Sequence, residues 1–305
     1  MDLNELYRKF GLKREPSSIK DEVERERIKQ EIFARINETK LNFDQQRGNE
    51  GSGIKRILPL LKIAASIVLL LAVGTLTYKA VVKRNSEIDY ITFSAPKGEI
   101  IQVLLPDSSK VWLNAATTIK YPRHFNKTRD IYLLEGEAYF DVTHNPAKPF
   151  IVHASNVSTR VLGTAFSVKA YRALPTVTVT VARGKVRVNE KEKQLGVLTP
   201  DQQLVFEKGN HSVRNETVNS SFATAWKQGD FILTGAYFGE IMLAIANRYN
   251  VEVIYDHKVF SNCQNSIHFT KNESLAEVLS VLKEIQEINY TIKNNQIIIT
   301  GKPCK

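Results

Sequence analysis

In the stretch Arg160-Val-Leu-Gly-Thr-Ala-Phe-Ser-Val-Lys169, a glycine and a threonine stand side by side at the centre of what otherwise reads as a β-strand. Strands favour β-branched and aromatic residues, so Gly163-Thr164 weakens this one where it should be stiffest. On a strand over 161–168, Leu162, Thr164, Phe166 and Val168 share one face. If that face is inward, the Thr164 hydroxyl sits behind the Gly163 carbonyl. Attack of Thr164 Oγ on that carbonyl is an N-to-O acyl shift, and water would then cut the chain; Gly163 is the residue that best tolerates the strained backbone this needs. The alternative is that Gly163 marks a bulge or a close backbone approach and Thr164 is a hydrogen-bonded strand former with no chemistry.

Other residues carry less. Glu135 and Glu137 fall on one face of a strand and have the residue types of a glycosidase pair, but adjacent acids read more simply as a solvated face, because catalytic carboxylates flank their substrate. His124, His144, His153, His211, His257 and His268 have no metal-ligand spacing with one another or with cysteine, so no metal or cofactor is expected. His153 is a candidate base for Thr164, with a structural or surface role as the alternative. A disulfide between Cys263 and Cys304 is left open. Walker A, dinucleotide and nucleophile-elbow patterns are absent, so no enzyme is expected beyond a single-turnover self-cleavage at Gly163-Thr164.

The elements that must position these residues differ along the chain. The 305 residues carry a formal charge of +10, which raises the question of nucleic acid. Residues 1–50 hold 11 basic and 11 acidic groups, whereas 51–84 hold six basic groups and no acid. Most of the excess therefore flanks one apolar run, Ile63 to Val82, a pattern of a membrane surface and not of a DNA-binding face. Twenty residues at helical rise span roughly 30 Å, about one hydrocarbon core. A transmembrane helix is expected over 57–82, after a Gly-rich linker over 48–56. Lys55, Arg56 and Lys62 on one side are matched by Lys79, Lys83 and Arg84 on the other, so charge does not orient it.

Before the linker, residues 1–47 read as a helical arm. Leu3, Leu6, Tyr7 and Phe10 recur at i, i+3, i+4, i+7 and stop at Gly11; a second helix is predicted over 18–40, with apolar Ile19, Val23, Ile28, Ile32, Phe33 and Ile36. Two such helices cannot bury enough surface to be secure alone, so the arm either folds against a partner or is a solvated tail. After the membrane segment, short alternating strands separated by turns predict an all-β unit over 90–220, solenoid-like or sandwich-like. Residues 229–302 alternate strand and helix as two βαβ-like halves, with a Ser274/Glu277 capping box and a hairpin turning at Asn294-Asn295, and predict a small α+β domain.

Leu105-Pro-Asp-Ser-Ser-Lys-Val-Trp-Leu-Asn114, Leu134-Glu-Gly-Glu-Ala-Tyr-Phe-Asp-Val142, Lys148-Pro-Phe-Ile-Val152, Leu162-Gly-Thr-Ala-Phe-Ser-Val168 and Gly184-Lys-Val-Arg-Val188 occur in that order. Together they resemble the successive motifs of FecR-type anti-sigma factors, and residues 229–302 are similar to the secretin/TonB short N-terminal-like domain that ends such proteins. The resemblance spans roughly 55–302. Ser108 and Asp201 stand where the family usually has glycine, and Asp tolerates left-handed backbone. The arm is shorter than the family's three-helix pattern. The resemblance implies a single-pass inner-membrane protein, N-terminus in the cytoplasm and C-terminus in the periplasm. It implies that the protein binds an ECF-type sigma factor, with Leu3, Leu6, Tyr7, Phe10, Ile28, Ile32, Phe33 and Ile36 as the contact residues. It also implies a TonB-dependent outer-membrane transporter and an intramembrane protease as partners, no direct nucleic-acid binding, and a Gly-Thr self-cleavage such as some members undergo. Strand Gln296, Ile297, Ile298, Ile299 and Thr300 is the first place to look for transporter docking by sheet-edge addition. The alternative reading is a membrane-anchored periplasmic carbohydrate-binding protein or hydrolase.

Overall fold

The computed structural model describes residues 22–47, 66–79 and 88–302. The chain divides into Met1–Glu87 and Ile88–Lys305. In the first unit, helix α1 (Glu22–Arg47) continues past residue 40 because no glycine or proline interrupts it before Gly48. Ile28 and Ile32 on it are half-buried and Phe33 is 64% exposed. Leu3, Leu6, Tyr7, Phe10 and the side chain of Ile36 lie outside the described residues. Helix α2 (66–79) covers the middle of the apolar segment, and the flanking residues 48–65 and 80–87 lie outside the described residues. Its leucines are exposed, and Thr75 and Thr77 donate their hydroxyls back to the carbonyls of Ala72 and Val73, each at 2.9 Å. Among the described residues no helix is long and apolar enough to cross a membrane.

The second unit opens with fourteen strands: β1 (Tyr90–Ala95), β2 (Ile101–Leu104), β3 (Lys110–Leu113), β4 (Thr117–Pro122), β5 (Arg129–Glu135), β6 (Glu137–Asp141), β7 (Phe150–Ala154), β8 (Val157–Val161), β9 (Ala165–Lys169), β10 (Thr176–Arg183), β11 (Val186–Glu190), β12 (Lys193–Leu198), β13 (Gln202–Glu207) and β14 (Val213–Thr217). They form a sandwich of two seven-stranded sheets, ordered β1-β4-β5-β7-β8-β11-β12 and β14-β13-β10-β9-β6-β3-β2. The strands pair antiparallel except for β5 with β7. Burial alternates along β4, β5, β7 and β8, the period-two signature of strands with one face on a core. Between the sheets, Phe140 of β6 stacks on Phe166 of β9 at 5.2 Å and meets Phe150 of β7 edge-on at 6.0 Å, all three fully buried.

At several of the points where the chain passes from one sheet to the other a glycine stands in the connection, among them Gly136, Gly163 and Gly184. Gly136, at φ 101, separates β5 from β6, and a Cβ on it would lie 2.2 Å from Thr117 Oγ1. Glu135 and Glu137 therefore do not share a strand face: the first ends a strand of one sheet and the second begins a strand of the other.

Helix α3 (Ser220–Ala223) and a 3₁₀ turn (Ala225–Gln228) lead into the α+β part, β15 (Phe231–Tyr237), α4 (Phe238–Arg248), β16 (Glu252–Ile254), β17 (Gln264–Phe269), α5 (Leu275–Gln286), β18 (Asn289–Lys293) and β19 (Gln296–Thr300). The Ser274/Glu277 capping box opens α5, and Asn294, at φ 53, turns the β18–β19 hairpin. The two halves follow in order, but their strands pair across halves, β15 antiparallel to β17 and β16 parallel to β19. Apolar stripes of both helices close a second core over these sheets, with Phe238, Ile241, Leu279 and Leu282 fully buried.

Truncation of an aromatic ring in this core should be costly. Phe166→Ala is expected to lower the unfolding free energy by about 3–5 kcal/mol, measured by urea denaturation followed through near-ultraviolet circular dichroism.

Candidate functional site

Leu162, Gly163 and Thr164 are not the middle of a strand. β8 ends at Val161 in one sheet and β9 begins at Ala165 in the other, so these three residues are the crossover. Leu162 is 41% exposed whereas Thr164 is 2% exposed, so the two do not share an inward face. A segment between sheets must find its backbone partners elsewhere. The Asn145 N–H donates to the Leu162 carbonyl at 2.7 Å and the Val142 N–H to the Thr164 carbonyl at 3.0 Å. Thr164 Oγ1 donates to the Lys185 carbonyl at 3.1 Å.

Gly163 is required by space. A Cβ there would fall 2.5 Å from His144 Nδ1 and 2.6 Å from His144 Cα. From the other side Gly184, at φ +91, lets the β10–β11 turn approach so closely that a Cβ would sit 2.9 Å from Thr164 Oγ1. Thr164 is thus the inner wall of the crossover, and the half-buried Gly163 lines an open cleft of about 360 Å³ with Lys110, Asp141, His144 and Arg183. Arg183 Nη2 donates to Asp141 Oδ1 at 2.8 Å across this cleft.

The loop that carries His144 is fixed by a buried cation. Arg129, 1% exposed, donates to Asp107 Oδ2 at 2.7 Å and to the carbonyls of Thr143 and Lys148 at 2.9 and 2.8 Å. Asp107 also accepts from the Ser109 hydroxyl at 2.7 Å, and Ser109 Oγ accepts the Thr143 N–H at 3.0 Å. Ser108 in this turn has φ 65 and Asp201 has φ 62. Both non-glycine residues thus occupy the left-handed region that the family's glycines would fill.

A second cluster joins the sandwich to the α+β part. Lys169, at the end of β9, pairs with Glu240 of α4, and Glu137 lies beside them, accepting from Asn114 Nδ2 at 3.0 Å. The Gly98 N–H donates to the Asn247 carbonyl at 2.7 Å. Trp226 packs on Tyr139 and Ala165, and the Lys227 ammonium stands 3.4 Å from the Tyr139 ring centroid. Burial pushes the Glu137 carboxyl above the ordinary carboxylate range against the pull of Lys169. Burial alone would lower Lys169, but Glu240 and Glu137 outweigh it and hold the ammonium above its usual range.

The remaining predicted residues are elsewhere. His153 lies on β7, in the sheet opposite β9, stacked on Tyr132 at 4.9 Å with Nε2 2.9 Å from Asp130 Oδ1, so it is not the base for Thr164. Strand 296–300 has no free edge. β19 runs between β16 and β18, with Ile297 and Ile299 buried, and the sheet's edges are β16 and β18. Cys263 is buried and disulfide-bonded, and Cys304 lies outside the described residues. Arg129 and Lys169 carry no sequence signal and His144 stands only among the histidines without metal-ligand spacing, because only the sheet-to-sheet crossovers bring 129, 144 and 163 together and only domain packing brings 169 to 240.

The FecR protein model matches residues 91–187 and the FecR C-terminal model residues 230–299. Two crystal structures of a candidate anti-sigma factor from Parabacteroides distasonis ATCC 8503 are each 30% identical with a TM-score of 0.66 and cover 70% of this chain, which in turn covers 100% and 99% of theirs. No curated protein matches the chain. A β-sandwich latched to this α+β module, with these matches, defines a regulator of a sigma factor. The chain belongs to the FecR-type anti-sigma factors.

The Lys169 cluster predicts a pH-dependent loss. Lys169→Ala leaves Glu240 and Glu137 facing each other without a cation, at an expected cost of about 3 kcal/mol near neutral pH. The raised Glu137 carboxyl takes up a proton as pH falls, so the cost should shrink through the carboxylate range. Urea denaturation at several pH values checks this, and a loss that does not vary with pH would contradict it.

Proposed function

We propose that this chain is a single-pass inner-membrane anti-sigma factor that holds an ECF-type sigma factor through its arm and releases it when a TonB-dependent outer-membrane transporter engages the C-terminal module. The observation that carries the reading is family membership joined to an apolar helix between the arm and the sandwich. On α2, Ile67, Leu69, Leu70, Leu71 and Leu76 are each more than half exposed and point to successive faces. A helix apolar all round is at home in lipid or a large core, not in water. On the other side of it, the disulfide-bonded Cys263 suits an oxidising compartment, which favours a periplasmic C-terminus.

On the cytoplasmic side, Ile28, Ile32 and the exposed Phe33 of α1 are the described part of the sigma-binding stripe, and helix-in-groove docking would bury them. On the periplasmic side, the edge strand β18 replaces β19 as the docking strand. Ile292 lies on the core-side face opposite the buried Ile297, yet is 47% exposed at the rim, where an added strand from a transporter's signalling domain would cover it. Maturation of the chain includes self-cleavage at Gly163-Thr164, favoured by a buried hydroxyl directly following a residue on a solvent-open cleft.

Four outcomes are expected. A phosphatase fused after residue 302 is active and one fused before residue 22 is not; the reverse pattern would overturn the topology. Deleting residues 1–47 abolishes co-purification of the sigma factor, and Ile292→Glu weakens binding of the transporter's signalling domain by at least about tenfold with unchanged melting temperature. Wild-type protein yields a new N-terminus at Thr164 by mass spectrometry, and Thr164→Ala yields none.

A further inference from the structure

The geometry points to His144 as the general base that activates water for the hydrolytic half of cleavage at Gly163, an inference that rests on the self-cleavage reading above. Its ring nitrogen Nδ1 would stand 2.5 Å from a Cβ on Gly163, at most one carbon–carbon bond further from the Gly163 Cα. Among the described residues no other imidazole lines the cleft that Gly163 shares with Lys110, Asp141 and Arg183. Among the described residues no hydrogen bond holds either ring nitrogen of His144, which is exposed on its loop. Of the other charged side chains in the cleft, Arg183 and Asp141 are engaged with each other.

The two halves of the reaction fall on opposite sides of the bond. On the buried side, Thr164 Oγ attacks the Gly163 carbonyl carbon; the Oγ–C bond forms, the C–N bond to Thr164 breaks, and the hydroxyl proton passes to the departing nitrogen, leaving an ester and an amine. No oxidant or co-reactant is needed. On the cleft side, His144 takes one proton from water as the water oxygen bonds to the Gly163 carbonyl carbon. The ester C–O bond then breaks, the Thr164 hydroxyl regains a proton, and residue 163 ends as a carboxylate. The inner site cannot supply this water, since Thr164 is 2% exposed and its hydroxyl is held by the Lys185 carbonyl. Arg129 binds the Thr143 and Lys148 carbonyls and the Asn145 N–H binds Leu162, so the loop is set at a fixed distance from the bond it serves.

The test uses the full-length protein in detergent micelles, comparing wild type, Thr164→Ala, His144→Gly and His144→Gln. In His144→Gly the fragments should form about 100-fold more slowly, with an uncleaved ester accumulating that hydroxylamine cuts to a Gly163 hydroxamate. Added imidazole, filling the space of the lost ring, should restore at least tenfold of the rate, while His144→Gln stays slow with no rescue. If wild type is cut and His144→Gly is cut equally fast, or slowly but without ester and without rescue, His144 is not the base although self-cleavage stands. If wild type, like Thr164→Ala, is never cut and yields no hydroxamate, self-cleavage itself is wrong and the inference falls with it.

Discussion

The Arg129 guanidinium is the constraint on which the sandwich's working end depends. A fully buried cation is tolerated only where its charge and its N–H groups are met, and here the partners come from two separate stretches: Asp107 in one turn, and the carbonyls of Thr143 and Lys148 in the loop after β6. Arg129 itself begins β5, and through β5–β7 pairing its position registers against Phe150. The loop 143–148 has no strand neighbours of its own, so its shape is set by what this cation demands. Since that loop supplies the amide that holds Leu162 and the ring that abuts Gly163, the crossover inherits its geometry from a charge that never reaches solvent.

Glycine does different work at two of the crossovers, those of Gly136 and Gly163. At Gly136 the backbone adopts φ 101, which an L side chain rarely enters, and Thr117 fills the space a Cβ would need. At Gly163 the conformation is open to any residue and it is His144 that forbids a side chain. The first glycine permits a turn; the second permits an approach. A weakened strand and a close approach look alike in a sequence, because both are written as a glycine among β-formers.

That ambiguity marks what could be read from residues alone. Period-two burial made the β unit legible, and the Ser274/Glu277 box and the Asn294-Asn295 turn fixed two elements of the module to within a residue, since each is set by local chemistry. The left-handed backbone at Asp201 was legible from the tolerance of Asp for that conformation, whereas Ser108 adopts it with no such sign. Non-local pairing was not. The order that buries β19 between β16 and β18, the sheet change that splits Glu135 from Glu137, and the contacts of Arg129, His144 and Lys169 all depend on which distant segments meet. A histidine six residues before Phe150 carries no local sign that it will face Gly163.

β9 ties these features into one mechanical element. It begins at Ala165, directly after Thr164, where Trp226 of the inter-domain turn packs on it, and it ends at Lys169, paired with Glu240 of the α+β module. The strand is bonded on both sides, to β6 and to β10, so it cannot shift alone. Whatever moves α4 relative to the sandwich must either break the Lys169–Glu240 pair, leaving desolvated charge, or carry the end of β9 with it. A ligand seated on the module can shift that balance only by as much as it prefers one arrangement over the other. The cost of uncompensated charge at Lys169 therefore sets a minimum for that preference, and the Arg129 frame, anchored on the far side of Gly163, is the fixed point against which any displacement of β9 would be felt.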